Sequence, residues 1–204
     1  MEIVITLLIL LFSAVIHEVC HGIMALRLGD DTAKLAGRLT LNPIPHLDPF
    51  ASVLLPLFLV WAGSPIIFGA AKPVPVNFFN LRNMKRDMAL VSLAGPGSNF
   101  ILALIFAIPI RMGLADGGIA SLILMQAVVL NLILGIFNLL PIPPLDGSKI
   151  FASFLPSNMM YRILEWERFG FLIIIFLLFT GIIHSVLLPV LNFFSQILLG
   201  FSII

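Results

Sequence analysis

The fold is decided near the start of the chain, where residues 3–28 read IVITLLILLFSAVIHEVCHGIMALRL. Residues 3–16 are almost wholly apolar, and an apolar run of about 20 residues can cross the hydrocarbon core of a bilayer. The run continues without a break into His17, Glu18 and His21, and Gly29 then supplies a helix stop signal. It lacks the basic start and the cleavage site of a signal peptide. We therefore predict a retained membrane helix over residues 3–28.

The composition of the whole chain agrees with a membrane protein. Of the 204 residues, 60% are hydrophobic and 10% are charged, whereas soluble domains have about 25% charged residues. We predict an all-α polytopic membrane protein folded as a single domain over residues 1–204, with a three-helix core in about 1–150 and one or two C-terminal helices in about 165–204. The net charge of +1 gives no indication of a nucleic-acid partner. The further apolar runs are 88–110, 119–140 and 169–188, with shorter ones at 50–71 and 189–204.

The segment 50–71 is too interrupted by proline and glycine to be a comfortable membrane crossing. Lys and Arg concentrate in cytoplasmic loops, and they flank this segment on both sides, so we predict a re-entrant segment that enters and leaves on the cytoplasmic side. With the N-terminus outside the cell membrane, every Lys and Arg except Arg111 then lies on that side. Polar and apolar residues alternate around residues 37–41, as they do in an edge strand. We predict a small β-hairpin there, which would either pair with an extended substrate or serve only as structure.

The polar end of the first helix contains the pentapeptide His17-Glu18-Val19-Cys20-His21, an H-E-x-x-H motif. Residues four apart share one face of a helix, so both imidazoles can bind one Zn²⁺, and Glu18 can act as general base for a water molecule. The alternative is a chance occurrence of the motif. A charged residue in a membrane helix costs at least about 2.5–3.5 kcal/mol, however, and such residues are rare there without a function.

A zinc site of this kind needs a third protein ligand, and Asp146 is the best candidate. It follows a helix-unwinding run of prolines in the stretch 138–147, NLLPIPPLDG, at the same predicted membrane depth as the motif. The alternative is an aspartate in an ordinary turn before Gly147. Asn138 begins the same stretch as an amide in an apolar helix. It would hold a substrate carbonyl or stabilise its oxyanion, or it would hydrogen-bond a neighbouring helix.

Together, these two motifs resemble those of the site-2 protease family of intramembrane zinc metalloproteases. The stretch Ala94-Gly95-Pro96-Gly97-Ser98-Asn99 is similar to the A-G-P-x-x-N landmark of that family, and residues 41–49 and 72–77 are similar to its minimal branch, which lacks a PDZ domain. The resemblance covers about residues 10–150. It implies a zinc endopeptidase in the cell membrane that cleaves transmembrane segments of protein substrates. It also implies one Zn²⁺ per chain, bound by His17, His21 and Asp146.

Several other polar residues carry weaker predictions. His46 and Asp48 flank a proline-rich bend and would make substrate or gating contacts near the zinc, or supply a fourth ligand, unless they serve only the turn. Asn99 is predicted to tie helices together, and Cys20 and His184 are predicted to be structural.

Two other classes of function stay open, a zinc transporter or sensor and a catalytically silent binder of membrane proteins. Polar residues clustered at one depth disfavour transport, because a transporter would spread them along a path. The presence of Glu18 disfavours a silent binder, which has no need of a general base.

Overall fold

The protein is described by a computed structural model that covers residues 2–49, 54, 58, 61, 72–115 and 117–202. Within these residues the regular structure is helical, which confirms the predicted all-α class in its coarse form. The longest helices are α1 (Glu2–Leu28), α3 (Met84–Arg111) and α4 (Gly118–Asn138), and each is long and apolar enough to cross a membrane. The shorter α-helices are α2 (Thr32–Leu35), α5 (Asp146–Ser153), α6 (Ser157–Glu165), α7 (Gly170–Phe179) and α8 (Ile182–Leu199). Short 3-10 helices are Ile44–His46, Phe78–Asn80 and Trp166–Phe169.

Local sequence signals account for the ends of the helices that matter most for the site. Asn83 caps α3, because its side chain accepts the backbone N–H of Arg86 at 3.3 Å. Helix α4 ends at Asn138, just before the proline-rich stretch 141–144, which cannot continue a helix. The chain then turns directly into α5 at Asp146. The predicted C-terminal part forms two helices, α7 and α8, separated by Gly181 in the left-handed conformation at φ +72°.

Two clusters of buried apolar side chains hold the helices together. One cluster joins α3, α4 and α8 through residues such as Ala103, Leu132 and Leu191. The other joins α1, α3, α5 and α6 through Ala25, Met88, Val91, Ala152 and Met160. Helix α1 also contacts α4 directly. The polar residues of the predicted metal site lie where α1, α3, α4 and α5 meet.

The predicted β-hairpin at 37–41 is not found in the described part of the chain. After α2, Gly37 adopts φ +66° and the chain runs without regular structure to the 3-10 helix at Ile44–His46. The Arg38 side chain instead binds the neighbouring segment 72–77, donating to the carbonyl of Lys72 at 2.8 Å. That segment carries Pro73 and Pro75, which cannot donate the hydrogen bonds of a strand ladder.

The predicted re-entrant segment, residues 50–71, lies outside the described residues except for 54, 58 and 61. A residue shortly before this segment, His46, contacts the residue directly after it, Lys72. The backbone N–H of Lys72 donates to the carbonyl of His46 at 2.8 Å. At residue 72 the chain is therefore again beside residue 46.

Candidate metal centre

Helix α1 supplies the first two members of the centre. His17 and His21 are one helical turn apart and are buried, with 7% and 8% of their surface exposed. Their Nε2 atoms lie 3.0 Å from each other, and the rings meet edge to face. The i,i+4 spacing in the motif therefore brings the two imidazoles to one point, as the sequence predicts.

Asp146 reaches the same point from the first residue of α5. Its Oδ2 lies 3.1 Å from His17 Nε2 and 3.2 Å from His21 Nε2. The adjacent Gly147 makes this approach possible, because a Cβ atom there would collide with the backbone carbonyls of Leu139 and Leu140. The tight turn after α4 is thus what places the carboxylate.

The three groups fit a zinc ion. Their nearest atoms form a triangle with sides of 3.0, 3.1 and 3.2 Å. In a tetrahedral site with Zn–N and Zn–O bonds of about 2.0–2.1 Å, ligand atoms are about 3.3 Å apart. In the part of the chain that the structure describes, this is the one group of three His, Cys, Asp or Glu side chains whose ligand atoms lie within 4.8 Å of one another. Three protein ligands leave the fourth position open, as catalytic zinc sites do.

Neighbouring oxygen atoms orient both imidazoles. The Nδ1 of His17 lies 2.6 Å from Asn99 Oδ1, and the Nδ1 of His21 lies 2.7 Å from the Val91 carbonyl. Both partners are acceptors, so the hydrogen-bond network assigns the proton to Nδ1 in each ring and leaves Nε2 free for the metal.

Asn99 was predicted to tie helices together, and the structure shows that it also contacts His17. Its Nδ2 donates to Asn131 Oδ1 at 3.0 Å, and Asn131 Nδ2 donates to the Ala127 carbonyl at 2.9 Å. Both amides are fully buried. Asn131 was not predicted from the sequence, although an amide inside an apolar helix was a usable signal there, as it was for Asn138.

Gly95 lets the backbone of α3 pass directly against the two imidazoles. A Cβ atom at this position would lie 2.6 Å from His17 Nε2 and 2.5 Å from His21 Cε1, and real Cβ atoms essentially never come so close to other atoms. The glycine of the A-G-P-x-x-N stretch is therefore required by the close approach of the His17 and His21 rings.

A cavity of about 290 Å³ opens beside the three ligands and also contains Glu18. The Oε2 of Glu18 accepts the backbone N–H of Val74 at 2.7 Å. Asn138 lines the cavity, and its Nδ2 donates to the Leu134 carbonyl in its own helix at 3.0 Å. The described residues that line the cavity are His17, Glu18, His21, Pro73, Val74, Val76, Phe78, Val91, Ser92, Asn138, Pro144, Asp146, Lys149 and Glu167.

The structure does not bring His46 or Asp48 to this cavity. Neither is among the described lining residues, and His46 does not belong to the three-ligand group. His46 is fully buried, and its Nε2 is 2.9 Å from the Thr40 carbonyl, so this ring nitrogen is used within its own loop. Lys149 and Glu167, which were not predicted from the sequence, do line the cavity. Lys149 Nζ and Glu167 Oε1 form an ion pair and lie 3.4 Å apart. The Oε1 atom has no hydrogen-bond partner among the described residues.

A helical membrane protein with an H-E-x-x-H motif and an aspartate gathered around one point belongs to the class of membrane-embedded zinc metalloproteases. The comparisons with known proteins give the family. Residues 108–181, which include Asp146, match the description "Peptidase family M50", and close relatives cover most of the chain. The chain belongs to peptidase family M50, the site-2 proteases, and is a zinc metalloendopeptidase. This confirms the resemblance seen in the sequence.

Proteins named as zinc metalloproteases in Bacillus and in mycobacteria are similar to this chain. The chain is 41% identical to "Putative zinc metalloprotease YwhC" of Bacillus subtilis, over 90% of this chain and 84% of that protein. It is 32% identical to each of two proteins named "Putative zinc metalloprotease Rip2", from Mycolicibacterium smegmatis and Mycobacterium tuberculosis. These matches cover 83% and 82% of this chain, respectively, and 64% of each Rip2 protein. No solved structure matches the chain.

Proposed function

We propose that the protein hydrolyses peptide bonds within transmembrane segments of other membrane proteins, in a single catalytic domain that holds one Zn²⁺ per chain. The ion is bound by His17, His21 and Asp146, and Glu18 is the general base. The observation that carries this proposal is the convergence of three ligand atoms beside Glu18 in one cavity on a membrane-crossing helix.

The depth of the site along α1 supports a substrate inside the bilayer. His17 follows Glu2 by fifteen positions, which is about 22 Å along a helix rising 1.5 Å per residue. The hydrocarbon core of a bilayer is about 30 Å thick. If α1 enters the core at its first turn, His17 and His21 lie inside the core toward the C-terminal end of the helix. A peptide bond that reaches them must itself be within the membrane.

The basic residues support a site on the cytoplasmic side, with the N-terminus outside. Arg27, Lys34, Arg38 and Lys72 all lie at the end of α1 that carries the site or in the chain that follows it, and cytoplasmic loops are rich in such residues. The contact between His46 and Lys72 supports the proposal that residues 50–71 enter and leave on this same side.

The bound zinc ion would supply a Lewis acid and would lower the pKa of a water molecule in its open position. Glu18 takes a proton from the attacking water and passes it to the amine that leaves when the peptide bond breaks. The hydrogen bond from the Val74 N–H holds Oε2 of Glu18, so Oε1 is the oxygen that takes the proton. One hydrogen of the Asn138 amide is bonded to Leu134, so its second hydrogen serves to hold a substrate carbonyl.

The test compares wild-type protein with Glu18→Gln on a transmembrane reporter substrate in lipid vesicles. General base catalysis contributes about 10²–10⁴-fold, so cleavage should fall at least about 100-fold while zinc stays bound. Glu165→Gln is the matched control, because Glu165 is exposed on α6 and is not among the described residues that line the cavity. Cleavage by Glu18→Gln at the wild-type rate would refute the mechanism. Asp146→Ala should lose zinc, and stoichiometric zinc in that variant would exclude Asp146 as the third ligand.

A further inference from the structure

Ser92 is a buried hydroxyl in the wall of the cavity that the mechanism above does not use. It lies on α3 and lines the cavity together with His17 and Glu18. The residue is 1% exposed, and its Oγ has no hydrogen-bond partner among the described residues. Burying a polar group without a partner destabilises a protein, so a native protein that does so generally has a reason.

Other serines in the helices of this chain show what a hydroxyl does when it has no further task. Five of them donate to the carbonyl oxygen three residues earlier, at 2.6–2.9 Å, as serines in helices commonly do. These are Ser98, Ser148, Ser153, Ser185 and Ser195. The corresponding carbonyl for Ser92 belongs to Ala89, in the same helix, and the hydroxyl does not bond to it.

Neighbours of Ser92 on α3 contact the two histidines of the proposed metal site. The carbonyl of the preceding residue, Val91, accepts a hydrogen bond from the Nδ1 of His21. Gly95, three residues later and on the same helix face, passes directly against the imidazoles of His17 and His21. Ser92 therefore belongs to the turn of α3 that the two histidines contact.

The other residues in the wall narrow down what the hydroxyl can bind. The Nδ1 hydrogens of the lining residues His17 and His21 are already bonded. Among the other described lining residues, only Ser92 and Asn138 have a neutral hydrogen-bond donor in the side chain. Glu18 already serves the attacking water in the proposed mechanism. The carbonyl oxygen of the peptide bond gains negative charge during the attack, and it can accept a second hydrogen bond besides the one from Asn138.

We propose that the Ser92 hydroxyl donates a hydrogen bond to the carbonyl oxygen of the scissile peptide bond, and that this bond strengthens as the oxygen gains charge. This inference rests on the proposed function. It makes Ser92 a further catalytic residue, on the α3 wall of the cavity, whereas Asn138 acts from α4.

The test is Ser92→Ala, measured for kcat and KM on the transmembrane reporter, for zinc content and for thermal unfolding. Removing a donor to a developing oxyanion costs about 10²–10³-fold in kcat, so we expect kcat to fall about 100-fold with a smaller change in KM. Zinc content should stay the same. The unfolding temperature should stay the same or rise, because the variant removes a buried hydroxyl that has no partner.

Ser195→Ala is the matched control. Ser195 is equally buried, but it lies on α8, is not among the described lining residues and donates to the Asn192 carbonyl. This variant should keep the wild-type kcat and lose a little stability. The reverse pattern, with Ser92→Ala less stable or short of zinc, would show a structural role and overturn the inference.

An unchanged kcat in Ser92→Ala would also overturn it, and so would a change in KM alone. Glu18→Gln is measured in parallel to separate this inference from the proposed function. If Glu18→Gln cleaves like the wild type, the proposed function fails. If Glu18→Gln is inactive and Ser92→Ala is fully active, only the inference about Ser92 fails.

Discussion

Replacing Gly95 with alanine should remove zinc from the protein. The new Cβ would lie 2.6 Å from His17 Nε2, whereas ordinary van der Waals contact begins at 3.4 Å, so that atom or the backbone must move by about 0.8 Å. Metal–ligand distances tolerate only about 0.2 Å. The required displacement is four times larger. His17 has little freedom to move, because its Nδ1 is hydrogen-bonded to the buried Asn99.

The assay measures zinc per chain and cleavage of the transmembrane reporter for Gly95→Ala and for Gly97→Ala. Gly97 lies two residues further along the same helix, and a Cβ there has no neighbour within 4 Å. Both changes raise helix propensity by up to about 1 kcal/mol. The two variants therefore differ in the contact with the histidines, which a Cβ makes at residue 95 and not at residue 97. We expect Gly95→Ala to lose zinc and activity and Gly97→Ala to keep both. Full zinc and wild-type cleavage in Gly95→Ala would refute this account of the site.

Two further predictions concern the neighbours of the site. Asn99→Ala removes the acceptor for His17 Nδ1, so zinc affinity should fall about 10–100-fold; chelator competition measures this, and an unchanged affinity would contradict it. For Asp30, burial disfavours the charged form, but hydrogen bonds from Thr32, Asn77 and Asn80 outweigh it and lower the pKa below its ordinary value of 3.8. A lowered pKa gives stability that is present above pH 3.8 and is lost as the pH falls through the lower folded value, so thermal unfolding should show this loss in the wild type. It should be absent in Asp30→Asn, and identical pH profiles for the two proteins would count against the prediction.

The parts of the site that follow from local sequence signals could be predicted from the sequence. His17 and His21 are one turn apart on a helix, and Asp146 follows a run of prolines that must end the preceding helix. The contacts of Asn99, Ser92 and Gly95 with the site could not be predicted. They depend on how α3 is rotated against α1, and tertiary packing sets that rotation.

The prediction of a β-hairpin is not confirmed, and the cause is related. Alternation over residues 37–41 describes only one side of a possible strand pair, and it contains no information about the partner. In the folded protein the neighbouring segment contains Pro73 and Pro75, and its Val74 N–H is used by Glu18, which is 56 residues away in the sequence. A short alternating pattern cannot anticipate such a neighbour.

The buried chain of hydrogen bonds from His17 through Asn99 to Asn131 joins α1, α3 and α4 at one level of the membrane. A slide of one residue along any of these helices would shift its side chains by 1.5 Å and turn them by 100°, and lipid offers no replacement for the broken bonds. The three helices are therefore locked in register with one another. In a thicker or thinner bilayer the bundle must tilt as one body or deform the surrounding lipid, so that the proposed metal site keeps its shape while its depth changes.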